Sequence, residues 1–223
     1  MVARKLKFEI YLISGAITAG ILFLGIFFGV TVSKSKVDNL QSELDKLKMS
    51  QEDLNLEFVL IATSRNQTCN LISYELDKVI DNAAQLGERV SLYETSEKIK
   101  DDRFSFLKDD YTITLIRYWF FLDRMKTECN RTNFVTVLYF YSNDKCDDCN
   151  KQGLVLNVIK QTYQQDVMIF AIDSDSRLNV VDLLKKTYQV ETVPSLVVDG
   201  KKYDGLVSVE ELKSVLCEKL KKC

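Results

Sequence analysis

Two cysteines, Cys146 and Cys149, stand where an apolar strand gives way to a helix. The residues before them, FVTVLYFY (Phe134 to Tyr141), are β-branched and aromatic, which predicts a buried strand. From the first cysteine onward, CDDCNKQGLVLNVIKQTY follows a helical pattern. A pair spaced in this way can be a reactive dithiol, half of a metal site or a structural disulfide. The elements around it must decide between these readings.

The segments after the pair predict a small α/β domain. DVMIFAID reads as a second strand and SRLNVVDLLKKTY as a helix. SLVVDGKKYDG reads as a β-hairpin that turns at Asp199 and Gly200. SVEELKSVLCEKL reads as a closing helix that begins with a capping box. The predicted order is βαβαββα, a parallel unit followed by an antiparallel edge.

This order, with CxxC at a strand-to-helix junction and TVPS (Thr192 to Ser195) before the third strand, resembles the thioredoxin-like family. The resemblance covers about residues 132–220. Pro194 is the only proline in the chain, at the position where that family has a cis-proline beside the dithiol. The resemblance implies Cys146 as nucleophile, Cys149 as resolving thiol, and Val193–Pro194 as backbone that binds an extended substrate.

The activity implied by the resemblance is thiol–disulfide exchange with protein thiols and disulfides, with no cofactor. At a helix start, Cys146 would face the positive end of the helix dipole, which lowers a thiol pKa. Two departures affect this expectation. Lys145, Asp147 and Asp148 stand where the family commonly has aromatic or Gly-Pro residues, and the apolar VLYFY lacks the family's frequent buried carboxylate.

The charges of Asp147 and Asp148 oppose a thiolate beside them, and Lys145 and Lys151 offset this in part. A less stabilised thiolate makes the disulfide harder to reduce, so reductase or isomerase work is expected rather than disulfide donation. The alternative is a non-catalytic adaptor whose thioredoxin-like domain binds extended segments and whose CxxC is a structural disulfide.

Composition excludes several other functions. The chain has no histidine, which removes Cys-His and Ser-His-Asp catalysis and every imidazole zinc site. Its net charge of -2 and its lack of a recognition motif give no reason to expect nucleic acid. A zinc site that adds Cys217 and Cys223 to the pair is disfavoured by spacing, so no metal is expected. Whether Cys217 and Cys223 pair with each other stays open.

An uncharged run of 23 residues, Ile10 to Val32, predicts a transmembrane anchor. As a helix it would extend roughly 35 Å, enough to cross a bilayer. The basic residues on either side favour residues 1–9 as a cytoplasmic tail and the bulk of the chain outside the cytoplasm. Gly25 and Gly29 form a GxxxG pair, which suits close helix pairing but is also ordinary glycine content in such a helix.

Residues 33–65 predict a coiled-coil stalk, because apolar residues recur at steps of three and four from Leu40 to Ile61. This seam can pair with a second copy as a parallel homodimer, or pack on its own chain. Residues 66–131 predict an antiparallel helical hairpin that turns at EKIKDD. The resemblance implies that residues 132–223 form a thioredoxin-like domain.

Cys69 and Cys129 lie one on each helix of the predicted hairpin. Each is 30 residues from position 99, inside the turn, so folding the hairpin brings them to the same level. This predicts a structural disulfide at the open end, and the alternative is two buried free thiols. Asn66 and Asn130 each begin an N-x-[ST] sequence, and whether they carry glycans stays open.

Overall fold

A computed structural model describes residues 15–26, 49, 52–53, 55–56, 59–60, 63, 68–95, 102–131 and 133–220. The chain divides into two compact units, Met1–Thr63 and Ser64–Cys223. In the first unit, residues 15–26 and the described residues from 49 to 63 are helical.

The predicted membrane anchor is contradicted. Its described part, residues 15–26, is a helical segment of 12 residues. Across the described ranges, no helix has both the length and the apolar character needed to cross a membrane. The predicted single-pass localisation, with a cytoplasmic N-terminus and the bulk of the chain outside, is therefore wrong.

Other N-terminal predictions fall outside the described residues. These include the rest of the run from 10 to 32, and Gly29. They also include most of the stalk predicted over 33–65, with Leu40 and Ile61 among it. Homodimer pairing through this region stays a prediction.

The second unit begins with two helices of a hairpin, α1 (Thr68–Thr95) and α2 (Asp102–Cys129). Apolar side chains at helical spacing face each other between them. On α1 these include Ile72, Leu76, Val79, Leu86 and Val90, and on α2 they include Phe104, Leu107, Leu122 and Met125, all of them buried.

A disulfide between Cys69 and Cys129 joins the open end of the hairpin, with the two Cα atoms 5.6 Å apart. Cys69 is exposed and Cys129 is half-buried. The bridge therefore closes the hairpin at its solvent-facing end rather than within the packed seam between the helices.

The rest of the unit is a four-stranded mixed sheet with three helices. Its elements are β1 (Val135–Tyr141), α3 (Asp147–Tyr163), β2 (Val167–Asp173), α4 (Asn179–Thr187), β3 (Ser195–Val198), β4 (Lys201–Asp204) and α5 (Val209–Leu220). The strand order is β2-β1-β3-β4. β1 runs parallel to β2, and β3 runs antiparallel to both β1 and β4. The predicted mixed α/β arrangement is confirmed.

Helices α3 and α5 cover one face of the sheet. Alternation along β1 directs Val135, Val137 and Tyr139 into a core with apolar residues of these two helices. The helical partners are Leu156 and Ile159 of α3, and Leu212, Leu216 and Leu220 of α5.

Helix α2 contacts β1 and β2. Tyr118 meets Phe170 of β2 edge-on, with ring centroids 5.1 Å apart. Lys108 forms an ion pair with Asp173 at the end of β2, and Lys126 forms one with Asp199 in the β3–β4 turn. The domain boundary predicted between residues 131 and 132 therefore falls inside one compact unit.

Candidate active site: a cysteine pair beside a cis-proline

The Cys146–Cys149 pair lies at the start of α3, just beyond the end of β1. The two cysteines form a disulfide, with their Cα atoms 5.2 Å apart. Cys146 is the N-cap residue of α3, and its Sγ accepts a hydrogen bond from the Cys149 backbone N–H at 3.1 Å. Cys146 is half-buried, whereas Cys149 is only 3% exposed. Cys146 is thus the more accessible cysteine of the pair.

The loop that leads into the pair is fixed by β2. Asn143 donates from Nδ2 to Asp173 Oδ2 at 3.1 Å, and the same carboxylate forms the ion pair with Lys108 of α2. Ser142 Oγ donates to the Asp175 carboxylate at 2.5 Å. Because parallel strands end at the same edge of a sheet, the carboxyl end of β2 can hold the loop after β1.

A cis peptide bond joins Val193 and Pro194 directly beside the pair. Cys146 Sγ lies 3.9 Å from the backbone oxygen of Val193. Pro194 is buried, and its carbonyl accepts a hydrogen bond from Gly205 N–H at 2.9 Å. The structure thus brings Val193 and Pro194 next to Cys146, the cysteine to which the resemblance assigns the nucleophilic role.

Tyr139 lies beneath Cys149, on the α3 side of β1. Its hydroxyl donates to the backbone oxygen of Cys149 at 2.6 Å, and burial raises the pKa of Tyr139 to about 12. The hydroxyl therefore stays protonated at neutral pH and acts as a donor. The apolar sequence VLYFY did not predict this contact. The signal was present, because strand alternation puts Tyr139 on the same face as Val137.

Gln152, one turn after Cys149, is fully buried. Its Oε1 accepts a hydrogen bond from the Val207 backbone N–H at 2.7 Å, which ties α3 to the loop between β4 and α5. Its Nε2 is buried and has no partner in the described structure. Sequence reasoning missed this residue too, because glutamine usually lies at the surface, but its spacing of three from Cys149 places both on one helical face.

The first turn of α3 is acidic. Asp147 and Asp148 are both exposed there. Lys151 pairs with Asp148 at 2.7 Å, and this hydrogen bond raises the pKa of Lys151. Lys145, which precedes Cys146, is exposed and has a φ of 50°, in the left-handed region. Lys151 therefore offsets the charge of Asp148, and Lys145 is a second positive charge next to Cys146.

The remaining cysteines lie away from this site. Cys129 ends α2 near the amino end of β1, whereas Cys146 follows the carboxyl end of that strand. The Cys69–Cys129 bridge and the Cys146–Cys149 pair are thus at opposite ends of the sheet. Cys217 of α5 is disulfide-bonded, and Cys223 lies outside the described residues.

Solved structures that are similar to part of this chain include thioredoxins. A structure described as that of a malarial protein is 22% identical, with a TM-score of 0.34, and covers 40% of this chain and 99% of its own. Thioredoxin-2, a component of malaria parasite protein secretion machinery, is 21% identical with a TM-score of 0.34, covering 40% and 86%. Chloroplastic thioredoxin z is 14% identical with a TM-score of 0.35, covering 44% and 85%.

No protein-family model matches the chain, and no curated protein matches it. The structure itself shows a mixed α/β sheet from β1 to α5, with the cysteine pair at the start of α3 and the cis-Pro194 beside it.

Proposed function

We propose that this protein is a thiol–disulfide oxidoreductase that acts on protein disulfides through Cys146 and Cys149. The observation that carries the proposal is the position of Cys146 Sγ, half-buried at a helix N-cap and 3.9 Å from the Val193 oxygen. A sulfur placed there is open to another chain. The helix dipole and the Cys149 N–H at 3.1 Å both favour its thiolate once the disulfide is reduced.

The reaction takes place in two exchanges. The Cys146 thiolate attacks one sulfur of a substrate disulfide, and the other substrate sulfur leaves as a thiolate that takes up a proton. Cys149, deprotonated, then attacks Cys146 Sγ in the mixed disulfide and releases the second substrate sulfur. The substrate gains two electrons and two protons, and the pair becomes a disulfide. A thiol reductant restores the dithiol by the same two steps in reverse.

The cis-Pro194 segment supports binding of an extended substrate. The Val193 oxygen lies beside Cys146, so a peptide strand laid along this backbone would bring its own sulfur to the attacking one. The interactions of Pro194 and Gly205 hold this segment against the loop that follows β4.

The acidic first turn of α3 favours reduction or isomerisation of substrates over disulfide donation. Asp147 and Asp148 raise the free energy of a thiolate at Cys146, and Lys145 and Lys151 offset this effect in part. A dithiol whose thiolate is poorly stabilised forms a disulfide that is hard to reduce, and such a couple is a weak oxidant.

Trapping of a mixed disulfide tests the proposal. The full chain with Cys149→Ala keeps the attacking sulfur and loses the resolving one, so it should accumulate covalent adducts with a disulfide-bonded reporter protein. Cys146→Ala is the matched control and should give none. Adducts are counted by mass spectrometry without reduction. If Cys146 forms adducts no faster than a cysteine in an unfolded peptide, the oxidoreductase proposal fails.

A binding module without catalysis is the second candidate. It is favoured by Cys149, which is only 3% exposed, and by Tyr139, whose protonated hydroxyl lies beneath it where an acid–base group would help the second exchange. In that case the disulfide would stay closed and extended segments would bind at Pro194 without covalent adducts. Binding of a reporter peptide that is unchanged in the Cys146→Ala variant would favour this candidate.

A further inference from the structure

In the disulfide form, the buried amide of Gln152 has a donor, Nε2, that bonds to no group of the described residues. We propose that, when the Cys146–Cys149 disulfide opens, Gln152 Nε2 donates a hydrogen bond to the Cys149 sulfur and stabilises its thiolate. This inference rests on the proposed function, because it assigns to Gln152 a role in the second exchange.

The orientation of the Gln152 amide is fixed by its other contact. The Val207 backbone N–H lies 2.7 Å from the amide and needs an acceptor, so the oxygen must face Val207. The NH₂ group therefore points elsewhere, and it is buried without a partner in the described structure. Buried polar groups are nearly always hydrogen-bonded, so this exception needs an explanation.

Gln152 and Cys149 lie three residues apart on the same buried face of α3. Because Cα–Cβ bonds in a helix tilt towards its N-terminus, a side chain at position 152 is expected to extend over the turn that holds Cys149. A long side chain at this spacing can bring its terminal amide to the neighbouring sulfur.

The redox state of the sulfur explains why the donor is unpaired now. In the disulfide, Cys149 Sγ is neutral and a weak acceptor. After reduction, or after substrate has taken Cys146 into a mixed disulfide, the sulfur is a thiol in equilibrium with its thiolate. A thiolate with little access to water gains more from a donor than an exposed one does. The amide would then shift the thiol equilibrium towards the form that attacks Cys146.

Strand β1, Val135–Tyr141, holds no carboxylate that could act on the Cys149 sulfur, and Gln152 would stabilise its thiolate instead. The Tyr139 hydroxyl donates to the backbone oxygen of Cys149. It therefore positions Cys149 but does not donate its hydrogen bond to the Cys149 sulfur. Gln152 carries no charge and cannot take a proton at neutral pH, so it promotes thiolate formation only by stabilising the product. The proton of Cys149 leaves to solvent or to the departing substrate thiolate, and no other reactant is needed.

Titration of Cys149 in the full chain tests the proposal without any substrate. In a Cys146→Ser background, the ¹³Cβ shift of Cys149 reports its pKa. Substitution of Gln152→Met keeps length and removes the amide. We expect the Cys149 pKa to rise by about one unit, roughly a tenfold loss of thiolate at neutral pH. An unchanged pKa would overturn the proposal.

Gln152→Glu separates this role from a structural one. Glutamate keeps the acceptor for Val207 N–H and lacks the NH₂ donor. If Gln152 only holds the loop after β4, glutamate should restore a Cys149 pKa close to that of the unsubstituted residue. We expect instead a pKa at least as high as that of Gln152→Met, because the donor is lost and a negative charge is gained.

A measurement on the unsubstituted residue keeps the proposal testable if both variants fail to fold. The side-chain NH₂ signals of Gln152 should shift on reduction of the protein and titrate with the pKa of Cys149. NH₂ signals that are the same in the disulfide and dithiol forms would overturn the proposal. Because neither readout involves a substrate, failure here is distinct from failure of the adduct experiment with Cys149→Ala.

Discussion

At the scale of single residues, the site consists of two sulfurs and the polar groups that hold the deeper one. Cys146 is available from outside, and Cys149 is held from below by Tyr139 and flanked by Gln152. Each of these two polar side chains makes one contact with backbone, at the Cys149 oxygen and at the Val207 N–H. Substitution of Tyr139 alone and of Gln152 alone should therefore have different effects on the protein.

Tyr139→Phe removes the hydroxyl that donates to the Cys149 oxygen while keeping the ring in the core. We expect the free energy of unfolding to fall by about 1 kcal/mol, because the buried Cys149 oxygen loses one hydrogen-bond donor but remains part of the helix. Urea denaturation of the disulfide form measures the change. Tyr203→Phe is the matched control, because its hydroxyl has no hydrogen bond to another described residue, and should change stability by less than about 0.5 kcal/mol.

The Tyr139 hydroxyl should also make folding stability depend on pH in the alkaline range. Burial raises the pKa of Tyr139 to about 12 from its ordinary value of 10.0. Between these values the unfolded state has lost the proton that the folded state keeps, so folding stability falls as pH rises from about 10 to about 12. We expect Tyr139→Phe to lose stability less steeply over this range than the unsubstituted protein. Equal slopes would contradict the assignment.

At the scale of secondary-structure elements, the first turn of α3 sets the chemistry of the pair. The substitution of Asp147→Gly together with Asp148→Pro removes both carboxylates beside Cys146. We expect the reduction potential of the pair to rise, because a better stabilised Cys146 thiolate favours the dithiol. Equilibration with glutathione buffers measures the potential. No rise would remove the electrostatic argument for reductase work.

Some elements could be predicted from sequence and others could not. The strand before Cys146 and the helix after it are encoded locally, in a β-branched run and in helical spacing, so the CxxC junction could be placed. Strand alternation puts Tyr139 on the face of Val137, and helical spacing puts Gln152 on the face of Cys149. Neither pattern shows which backbone group these side chains contact, because the Cys149 oxygen and the loop at Val207 are placed by the packing of α3 and α5 over β1.

At the scale of the whole molecule, α2 packs both against α1 in the hairpin and against the sheet. The sequence predicts the apolar face of α2 that meets α1, and a separate hairpin domain. It does not predict the second face of α2, where Tyr118 meets β2 and where Lys108 and Lys126 pair with Asp173 and Asp199. Lysines on a helix are usually expected to face solvent, so the sequence pattern does not reveal that they form ion pairs with the sheet.

The disulfide of the hairpin should contribute to stability and not to chemistry. Replacement of Cys69 and Cys129 by alanine opens a loop of 60 residues. We expect the free energy of unfolding to fall by up to about 4 kcal/mol, the loop-entropy value. Because this bridge lies at the opposite end of the sheet, adduct formation by Cys146 in the folded protein should be unchanged. A loss of adducts below the unfolding transition would contradict this separation.

The account depends on the Cys146–Cys149 pair being a reversible dithiol with an accessible Cys146. The most direct measurement exposes the full chain to graded thiol reductant, alkylates it and identifies the modified cysteines by mass spectrometry. We expect Cys146 and Cys149 to open together at a defined potential, with Cys146 alkylated first, and to close again when reductant is removed. A pair that stays closed until the protein unfolds would contradict the account.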